Sequence, residues 1–508
     1  MNQINAKIGQ LIAQIRQERG LTQAEFARRL STSQSAINRI EHGNQNLSLE
    51  TLGRISDVLN KQLLSLSSNS EVNLRIEGNT KLKGEITLKT SKNAAVALLC
   101  ASLLNYGTTH FKSFPKIEEV YRIIEILESI GVNVKWVNGN DLEIKRPDKL
   151  NLNNLDSIAA RKTRSVLMLI GALMHDNNNF KIPYAGGCKL GERTIAPHLF
   201  ALEEFGINIK ATKGNYLVNV KKRSPQEIVL YEAGNTVTNN VLIAAANTDM
   251  KIQVHGASGD YMVQDLCYFL RKLGVEINGI GTPFLDIKGQ TGKIKKNITY
   301  FPTEDPIEAM FFISSAIITN SKITIKRVPY QWIALELLKL SKMGVKFEKS
   351  APYKANNNEI NLCDITIFPH NGSLTALEEK IHPNLYPGIN PDNIPYFVLI
   401  ACLAKGRTLI HDWMYENRAI YYTELTKIGG MIELIDPHRV YVTGPIKFTP
   451  AEVVCPPALR PASLLLIGML AANNTSLLRN VYTINRGYED LAERLNSLGA
   501  HITVLHEI

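Results

Sequence analysis

The sequence of 508 residues lacks a hydrophobic run long enough to cross a membrane. Its long apolar stretches, such as residues 464–472, fall far short of the about 20 residues that a spanning helix needs. Residues 1–10 carry no apolar signal segment, so we expect a cytoplasmic protein without a membrane partner. The six cysteines form no C-x-x-C pair and no metal-ligand spacing. We therefore expect no disulfide framework, no metal site and no cofactor.

The composition is that of a soluble globular protein, because 20% of the residues are charged and 44% are hydrophobic. Glycine and proline occur at ordinary levels, which excludes disordered and collagen-like chains. A chain of this length predicts about three domains of roughly 150 residues each. The net charge of +10 fits a nucleic acid or a phosphorylated small molecule as ligand, and it fits an ordinary basic surface equally well.

Residues 1–66 predict a small all-α domain. Ile8, Leu11, Ile12 and Ile15 recur at helical spacing, which predicts a first helix. A second helix is predicted to begin at Thr22, which has a glutamate three residues later and so forms a capping box. A third helix is predicted over residues 34–41, with Ser33 as its cap. Two more helical stretches should follow and end near Leu66.

The string LTQAEFARRLSTSQSAINRIEHG resembles the helix-turn-helix domain of the phage-repressor (XRE-like) family over its whole length. In such domains the second helix of the motif enters the major groove of DNA. The resemblance implies base contacts from Gln34, Ser35 and Arg39, and positions near phosphate for Gln23 and Asn38. It also implies a possible homodimer on DNA, because such domains usually bind half-sites as dimers. A helical bundle used only for packing or dimerisation is the alternative.

Residues 67–72 are mostly polar and predict a linker, after which one pattern occurs six times. In each copy an amphipathic helix ends in a glycine before a β-rich stretch, and an apolar helix precedes a short strand. The glycines, 68 to 85 residues apart, are Gly131, Gly206, Gly274, Gly344, Gly429 and Gly499. Such an array predicts an α/β protein of two globular halves with three units each, helices inside and sheets outside.

Residues 73–508 resemble the enolpyruvyl transferases. The matching strings, spread in family order, are LKGEITLKTSKNAA, AGGCKLGER, YENRAIYYTELTKIGG and INRGYEDLAERLNSLGAHI. They are more similar to the UDP-N-acetylglucosamine 1-carboxyvinyltransferase branch than to the shikimate branch. The resemblance implies two inside-out α/β barrels with the active site between them. Residues 92–298 would form the N-terminal half, and residues 73–91 with 299–508 the C-terminal half.

The resemblance implies transfer of the enolpyruvyl group of phosphoenolpyruvate to the 3-hydroxyl of UDP-N-acetylglucosamine, the first committed step of peptidoglycan precursor synthesis. Both substrates and the departing phosphate are anionic, so the site needs fixed cations. Arginine is favoured because it makes bidentate contacts to phosphate and carboxylate. By position, the implied substrate-binding residues are Lys92, Asn93, Arg164, Arg193, Arg418, Arg460 and Arg486. Asn93 would hydrogen-bond the sugar.

Two catalytic residues are implied by the resemblance, Cys188 and Asp392. Cys188 lies in a glycine-rich loop beside Lys189 and Arg193, so the pKa of its thiol should be lowered. It would protonate the methylene carbon of phosphoenolpyruvate, and fosfomycin would alkylate it. Asp392 would take the proton of the sugar hydroxyl. We interpret Asp305, at the start of a predicted helix, as mainly structural.

Several positions depart from the family pattern, most of them on the nucleotide-sugar side. Ala458 stands at the family's second active-site aspartate. Residues 194–197 lack an expected acid, residues 232–234 replace a diphosphate-binding turn, and residues 258–261 replace an Arg-Glu-Pro-Glu string. Two alternatives therefore remain open. One is an enolpyruvyl transferase with a different nucleotide or sugar acceptor. The other is a transcriptional regulator whose transferase fold senses a ligand.

Overall fold

The computed structural model describes residues 3–18, 21–45, 47–59, 72–186, 194–221, 223 and 225–506. These residues divide into two compact units, one containing the N-terminal helices and one running from Val72 to Leu505. No helix in the described ranges is both long and apolar enough to cross a membrane.

The N-terminal unit is helical, as predicted. Its described helices are α1 (Gln3–Glu18), α2 (Gln23–Arg29), α3 (Gln34–Glu41) and α4 (Leu49–Leu59). Thr22 and Glu25 each accept a hydrogen bond from the other's backbone N–H, so the predicted capping box is confirmed. Ser33 caps α3 by accepting from the N–H of Ala36. The predicted helical end near Leu66 lies outside the described residues.

One buried ion pair connects α1, α2 and α3 of the N-terminal unit. Arg16 of α1 donates from Nε and Nη2 to the carboxylate of Glu41 in α3, at 2.5 and 3.0 Å. Gln23 of α2 donates to the same carboxylate at 2.8 Å. The remaining Arg16 nitrogen, Nη1, donates to the carbonyl oxygen of Leu21 at 2.6 Å. Both charges are therefore almost fully paired inside the unit.

The second unit contains thirteen α-helices among its described residues. They are α5 (Lys92–Ser102), α6 (Glu118–Ser129), α7 (Ser157–Ala160), α8 (Leu169–Leu173), α9 (Ala196–Glu203), α10 (Asn235–Ala245), α11 (Tyr261–Leu273), α12 (Pro306–Ile318), α13 (Ala334–Lys342), α14 (Ile394–Ala401), α15 (Leu459–Leu470), α16 (Tyr482–Asn485) and α17 (Leu491–Ser497). The 3₁₀ helices are Leu152–Asn154, Arg164–Met168, Tyr330–Trp332, Pro391–Asn393 and Ala419–Ile428.

The strands of the second unit are short and regular. They are β1 (Val72–Ile76), β2 (Lys83–Thr87), β3 (Thr108–Phe111), β4 (Asn133–Val137), β5 (Asp141–Lys145), β6 (Asn179–Pro183), β7 (Ile207–Thr212), β8 (Asn215–Val220), β9 (Glu227–Val229), β10 (Lys251–His255), β11 (Glu276–Asn278), β12 (Phe284–Lys288), β13 (Ile298–Tyr300), β14 (Lys322–Val328), β15 (Phe347–Lys349), β16 (Tyr353–Lys354), β17 (Asn361–Ile367), β18 (Gly406–His411), β19 (Met431–Asp436), β20 (Arg439–Gly444), β21 (Glu452–Val454), β22 (Ser476–Arg479) and β23 (Ile502–His506). Val72, which we assigned to the linker, already begins β1.

The glycines that end the amphipathic helices all adopt a left-handed backbone. Their φ angles lie between 76° and 104° at Gly131, Gly206, Gly274, Gly344, Gly429 and Gly499. A residue with a Cβ atom is strained in this conformation, which explains why glycine stands there in every copy. The segment before Gly429, Ala419–Ile428, is a 3₁₀ helix where the pattern predicted an α-helix.

The described strands form six sheets that fall into two groups. Strands between residues 108 and 300 form the orders β13-β3-β5-β4, β6-β8-β7 and β11-β12-β10-β9. The remaining strands form β21-β22-β1-β23, β15-β17-β14-β2 and β18-β20-β19, with β16 paired to β17. The apolar helices lie inside these sheets, and every residue of α12 and α14 is buried. The predicted arrangement of helices inside and sheets outside is thus confirmed.

We expect Glu41→Ala to destabilise the N-terminal unit by about 3 kcal/mol, because breaking a buried pair leaves Arg16 as an uncompensated buried charge. Hydrogen exchange of the α1 and α3 amides in the full-length chain measures the effect. Glu25→Ala is the matched control, since it removes an exposed carboxylate of the capping box and should cost about 1 kcal/mol or less. Equal losses of stability in the two variants would contradict the conclusion that the Arg16–Glu41 pair stabilises this unit.

Candidate active site

Asp392 lies at the centre of the candidate site, in the 3₁₀ turn Pro391–Asn393 that leads into α14. Its carboxylate Oδ2 accepts from Nε and Nη2 of Arg460, at 3.3 and 3.1 Å. Its Oδ1 lies 3.7 Å from Nη1 of Arg418. The structure thus brings together the implied base and two of the implied cations. The Asp392 side chain stays 21% exposed, so a ligand can reach it.

The charges around Asp392 decide its protonation. Burial by itself raises the pKa of Asp392, but Arg460, Arg418 and Lys92 together outweigh it and hold the pKa below its usual value. The carboxylate is therefore ionised at neutral pH. It is an available proton acceptor, although a weak one while the cations surround it.

Both arginines are held rigidly by further partners. Arg460 donates from Nη1 to the hydroxyl of Tyr488 at 2.6 Å. Arg418 makes two bonds to the buried carboxylate of Asp412, at 2.6 and 2.7 Å, and one to the carbonyl oxygen of Pro391 at 2.6 Å. Most of the Arg418 guanidinium is thus already engaged, and its Nη1 is the part that faces Asp392.

Lys92 and Asn93 occupy the first turn of α5, which Ser91 caps. Burial lowers the pKa of Lys92, and the carboxylates of Glu119 and Asp392 offset only part of the lowering. Asn93 donates from Nδ2 to the hydroxyl of Tyr261 at 3.1 Å. The start of α5 therefore places the implied sugar ligand and a cation next to the Asp392 cluster.

The structure describes only two of the other implied residues, Arg164 and Arg486. Arg164 donates to the carbonyl oxygen of Thr194 at 2.7 Å. Arg486 follows α16 and is half-buried, and its side chain makes no hydrogen bond or ion pair with the residues that the structure describes. Cys188 and Arg193 lie outside the described residues, so their roles stay predictions.

The remaining cysteines are buried and unpaired. Burial raises the pKa of the thiols of Cys267, Cys402 and Cys455 to about 12. It also raises the pKa of Cys100 and Cys363. These thiols are unreactive at neutral pH, which leaves Cys188 as the candidate reactive thiol.

Two helix starts near the cluster differ in their caps. Asp305 caps α12 by accepting from the N–H groups of Ile307 and Glu308, at 2.8 and 3.3 Å, as its structural interpretation predicts. Ala458 is the cap residue of α15 and offers no side-chain hydrogen bond. The missing family aspartate thus leaves Asp392 as the carboxylate that pairs with Arg460.

The sequence interpretation missed Asp260, because residues 258–261 seemed to be a lost motif. Asp260 caps α11, and its Oδ2 accepts from the side-chain amide of Asn390 at 3.0 Å. Burial raises the pKa of Asp260 to about 7, and the carboxylates of Asp392 and Asp305 add to the effect. An aspartate just before a helical pattern was the available signal, but its distant partner was not visible.

The implied DNA-contacting residues lie as follows. Gln34, Ser35, Asn38 and Arg39 are exposed on α3, opposite its buried residues. Gln23 is half-buried and donates to Glu41, so its amide nitrogen is already engaged. These assignments remain predictions.

His198 is buried, and it follows residues 194–197, for which the resemblance implies nucleotide binding. Asn240 accepts from the N–H of Gly171 at 3.0 Å, which fixes its amide, and its Nδ2 lies 3.2 Å from Nδ1 of His198. His198 therefore carries its proton on Nε2 and donates to Thr236 Oγ1 at 3.2 Å. Burial, and then the charge of Arg164, lower the pKa of His198 to about 4. The ring is neutral at pH 7.

Buried helices inside two groups of three sheets, with cations gathered around one carboxylate, are the arrangement of an enolpyruvyl transferase. Residues 76–495 match the sequence family of EPSP synthase (3-phosphoshikimate 1-carboxyvinyltransferase), and residues 12–66 match a helix-turn-helix family. The chain is 32% identical over 439 residues to the UDP-N-acetylglucosamine 1-carboxyvinyltransferase of Campylobacter jejuni, covering 85% of this chain and 99% of that protein. The chain therefore belongs to the enolpyruvyl transferase family.

Solved structures share this fold. The enolpyruvyl transferase NikO from Streptomyces tendae superposes with a TM-score of 0.72 at 21% identity, over 87% of this chain and 100% of that one. The EPSP synthase from Acinetobacter baumannii superposes with a TM-score of 0.65 at 18% identity, over 86% of this chain and 100% of that one. Both likenesses show the fold.

We expect His198 to make the second unit less stable in acid. The unfolded chain takes up this proton near pH 6.5, whereas the folded chain takes it up only near pH 4. The free energy of unfolding should therefore fall as the pH falls from 6.5 to 4, by about 3 kcal/mol from this group. Urea denaturation across this range measures the loss. His198→Asn should flatten the pH dependence, while Thr236→Val, which keeps the histidine, should retain it. An unchanged slope in His198→Asn would refute the assignment.

Proposed function

We propose that the chain transfers the enolpyruvyl group of phosphoenolpyruvate to the 3-hydroxyl of UDP-N-acetylglucosamine. The observation that carries the proposal is the Asp392 carboxylate, held ionised between Arg460 and Arg418 beside Lys92. The resemblance implies a catalytic or substrate-binding role at these positions, and the relatives of 32% identity that span the transferase region carry that activity in their names. The proposal is thus supported by both charge and sequence.

In the proposed reaction, Lys92, Arg460 and Arg486 bind the phosphate and carboxylate of phosphoenolpyruvate. The sugar hydroxyl gives its proton to Asp392, and its oxygen forms a bond to C2. Cys188 gives a proton to C3, which produces a tetrahedral intermediate. Phosphate then leaves from C2 with the electron pair of its C–O bond, and the Cys188 thiolate takes a proton from C3, which regenerates the double bond. Asp392 returns its proton to the departing phosphate.

Substrate binding and the basicity of Asp392 are coupled in this scheme. The phosphate of phosphoenolpyruvate would compete with Asp392 for Arg460, which now donates twice to the carboxylate. A carboxylate that loses a cationic partner has a higher pKa and is a stronger base. Asp392 would therefore become an effective proton acceptor only when phosphoenolpyruvate is bound.

A second candidate is transfer to another nucleotide or sugar acceptor. Glu232 favours it, because the carboxylate oxygen Oε1 lies 3.0 Å from the position that a Cβ atom would take on Gly234, the cap of α10. The family resemblance implies that this turn meets the diphosphate of the acceptor. A carboxylate there repels a diphosphate, so an acceptor with less negative charge fits this turn better.

We expect phosphate release from phosphoenolpyruvate to depend on UDP-N-acetylglucosamine in the wild-type chain. Cys188→Ala should lower the rate by at least about 100-fold, because it removes a general acid, and fosfomycin should inactivate the wild type. Cys455→Ala is the matched control, since its thiol is buried and should not matter.

The outcomes of this assay separate the candidates. Release with a different nucleotide or sugar, but not with UDP-N-acetylglucosamine, would establish the second candidate. If correctly folded protein releases no phosphate with any acceptor, both transferase proposals are rejected and the ligand-sensing regulator is favoured.

We further propose that the N-terminal unit binds DNA through α3, as a homodimer. Gln34, Ser35 and Arg39 are exposed, while Ile37 and Ile40 bury the opposite face of the helix. This arrangement leaves three polar side chains available to base edges in a major groove.

We expect the full-length chain to select one DNA sequence from a random pool and to lose affinity steeply with salt. Arg39→Ala should weaken binding to that sequence by about 10-fold and relax its base preference. Arg54→Ala removes the same charge from α4 and should leave the base preference intact. Fluorescence anisotropy with selected and scrambled DNA measures both effects. Equal affinity for the two DNAs in the wild type would instead indicate that the unit only packs or dimerises.

A further inference from the structure

We infer that Asp260 and Tyr261 are positioning residues for the acceptor side of the site. Tyr261 orients Asn93, and Asp260 orients Asp392 through Asn390. The inference rests on the proposed function in one respect, because that function makes Asn93 the residue that binds the sugar and Asp392 the base. It assigns a role to residues 258–261, which the family comparison alone left as a departure.

The turn before α11 is fixed to the first group of sheets and helices. Asp260 donates from its N–H to Ser258 Oγ at 3.2 Å. Ser258 donates in turn to Asn235 Oδ1 at 2.5 Å, and its N–H donates to Thr238 Oγ1 at 3.0 Å. Both partners belong to α10. Asp260 Oδ1 accepts from the N–H of Met262 at 3.2 Å, so one carboxylate oxygen serves as the helix cap.

The second oxygen of Asp260 reaches the segment that carries Asp392. Its Oδ2 accepts from Asn390 Nδ2 at 3.0 Å, and Asn390 Oδ1 accepts from the N–H of Asp392 at 2.9 Å. A single side-chain amide thus connects the two aspartates. Glu336 accepts from the N–H of Asn390 at 3.1 Å and from the amide of Asn393 at 2.9 Å, which fixes the same turn from its other side.

Tyr261 provides the second connection. Its ring lies 5.5 Å from the ring of Trp332, and the residue is only 2% exposed, so its hydroxyl has a fixed position. That hydroxyl accepts from Asn93 Nδ2 at 3.1 Å. Neighbouring residues of one turn therefore orient the implied sugar ligand and the implied base.

The contact between the turn and the Asp392 segment is close. A Cβ atom on Gly259 would lie 2.7 Å from the carbonyl oxygen of Gly281 and 3.3 Å from a ring carbon of Tyr386. Tyr386 precedes Asn390 in the second group, whereas residues 258–261 lie in the first. Any shift between the two groups would thus move Asp392 relative to Asn93.

Asp260→Ser separates positioning from helix capping. Serine caps a helix about as well as aspartate, but its short side chain lacks the second oxygen that accepts from Asn390. We expect kcat to fall by roughly 10-fold, because the hydrogen bond that orients Asn390 is lost, with the KM of phosphoenolpyruvate within about twofold of wild type. Asn390→Ala should have the same effect, and the double variant should be no worse than either single variant, because both break one chain of contacts.

Tyr261→Phe tests the second connection. It keeps the ring against Trp332 and removes the hydroxyl, so the KM of the acceptor should rise by roughly 3- to 10-fold while that of phosphoenolpyruvate is unchanged. Tyr268→Phe in the same helix, whose hydroxyl contacts Gln264 instead, is the matched control. Asp156→Ser, at the cap of α7, is the control for Asp260→Ser. Both controls should behave as wild type.

Hydrogen exchange of the Asp392 amide gives a readout that needs no turnover. Asp260→Ser should accelerate exchange at this amide, and Asp156→Ser should not. If the wild type shows no transferase activity, the proposed function fails while the exchange result still decides the positioning role. Unchanged exchange in Asp260→Ser, or kinetic effects that add in the double variant and raise both KM values alike, would overturn the inference.

Discussion

The pairing of Asp392 with Arg460 is the interaction on which the candidate site depends. A buried charge without a partner costs several kcal/mol, so neither residue can be accommodated alone. The pair joins the turn before α14 to the first turn of α15. Hydrogen bonds to Tyr488 and Asp412 then fix Arg460 and Arg418 respectively. The site is thus arranged before any substrate binds.

The buried helices explain why these charges meet in one place. An apolar helix enclosed by sheets still has unsatisfied N–H groups at its first turn, which need polar partners. Five helices, α5, α11, α12, α14 and α15, begin at or beside this cluster. Helix N-termini carry partial positive charge, so the same geometry that hides the apolar residues creates a region suited to anions.

Local features of this fold could be predicted from the sequence. The glycines that end each amphipathic helix are required by a left-handed backbone, and Thr22 and Ser33 cap helices with their own neighbours. Contacts between distant segments could not be predicted from the sequence. Nothing near Asp260 indicates Asn390, and nothing near Gln23 indicates that Glu41 will engage its amide. The charged residues of the site followed from family position, whereas their partners followed only from the fold.

The pairing of β1 has a consequence for how the chain is made on the ribosome. This strand leads the second unit, yet it lies between β22 and β23, with Leu74 opposite Leu478. Its partners are synthesised about 400 residues later, so the sheet cannot close until those residues have emerged. Non-local pairing of this kind is slow and exposes an unpaired strand to aggregation. The small helical unit that precedes β1, with its own core and ion pair, can fold early, so the nascent chain carries a finished domain ahead of an unfinished one.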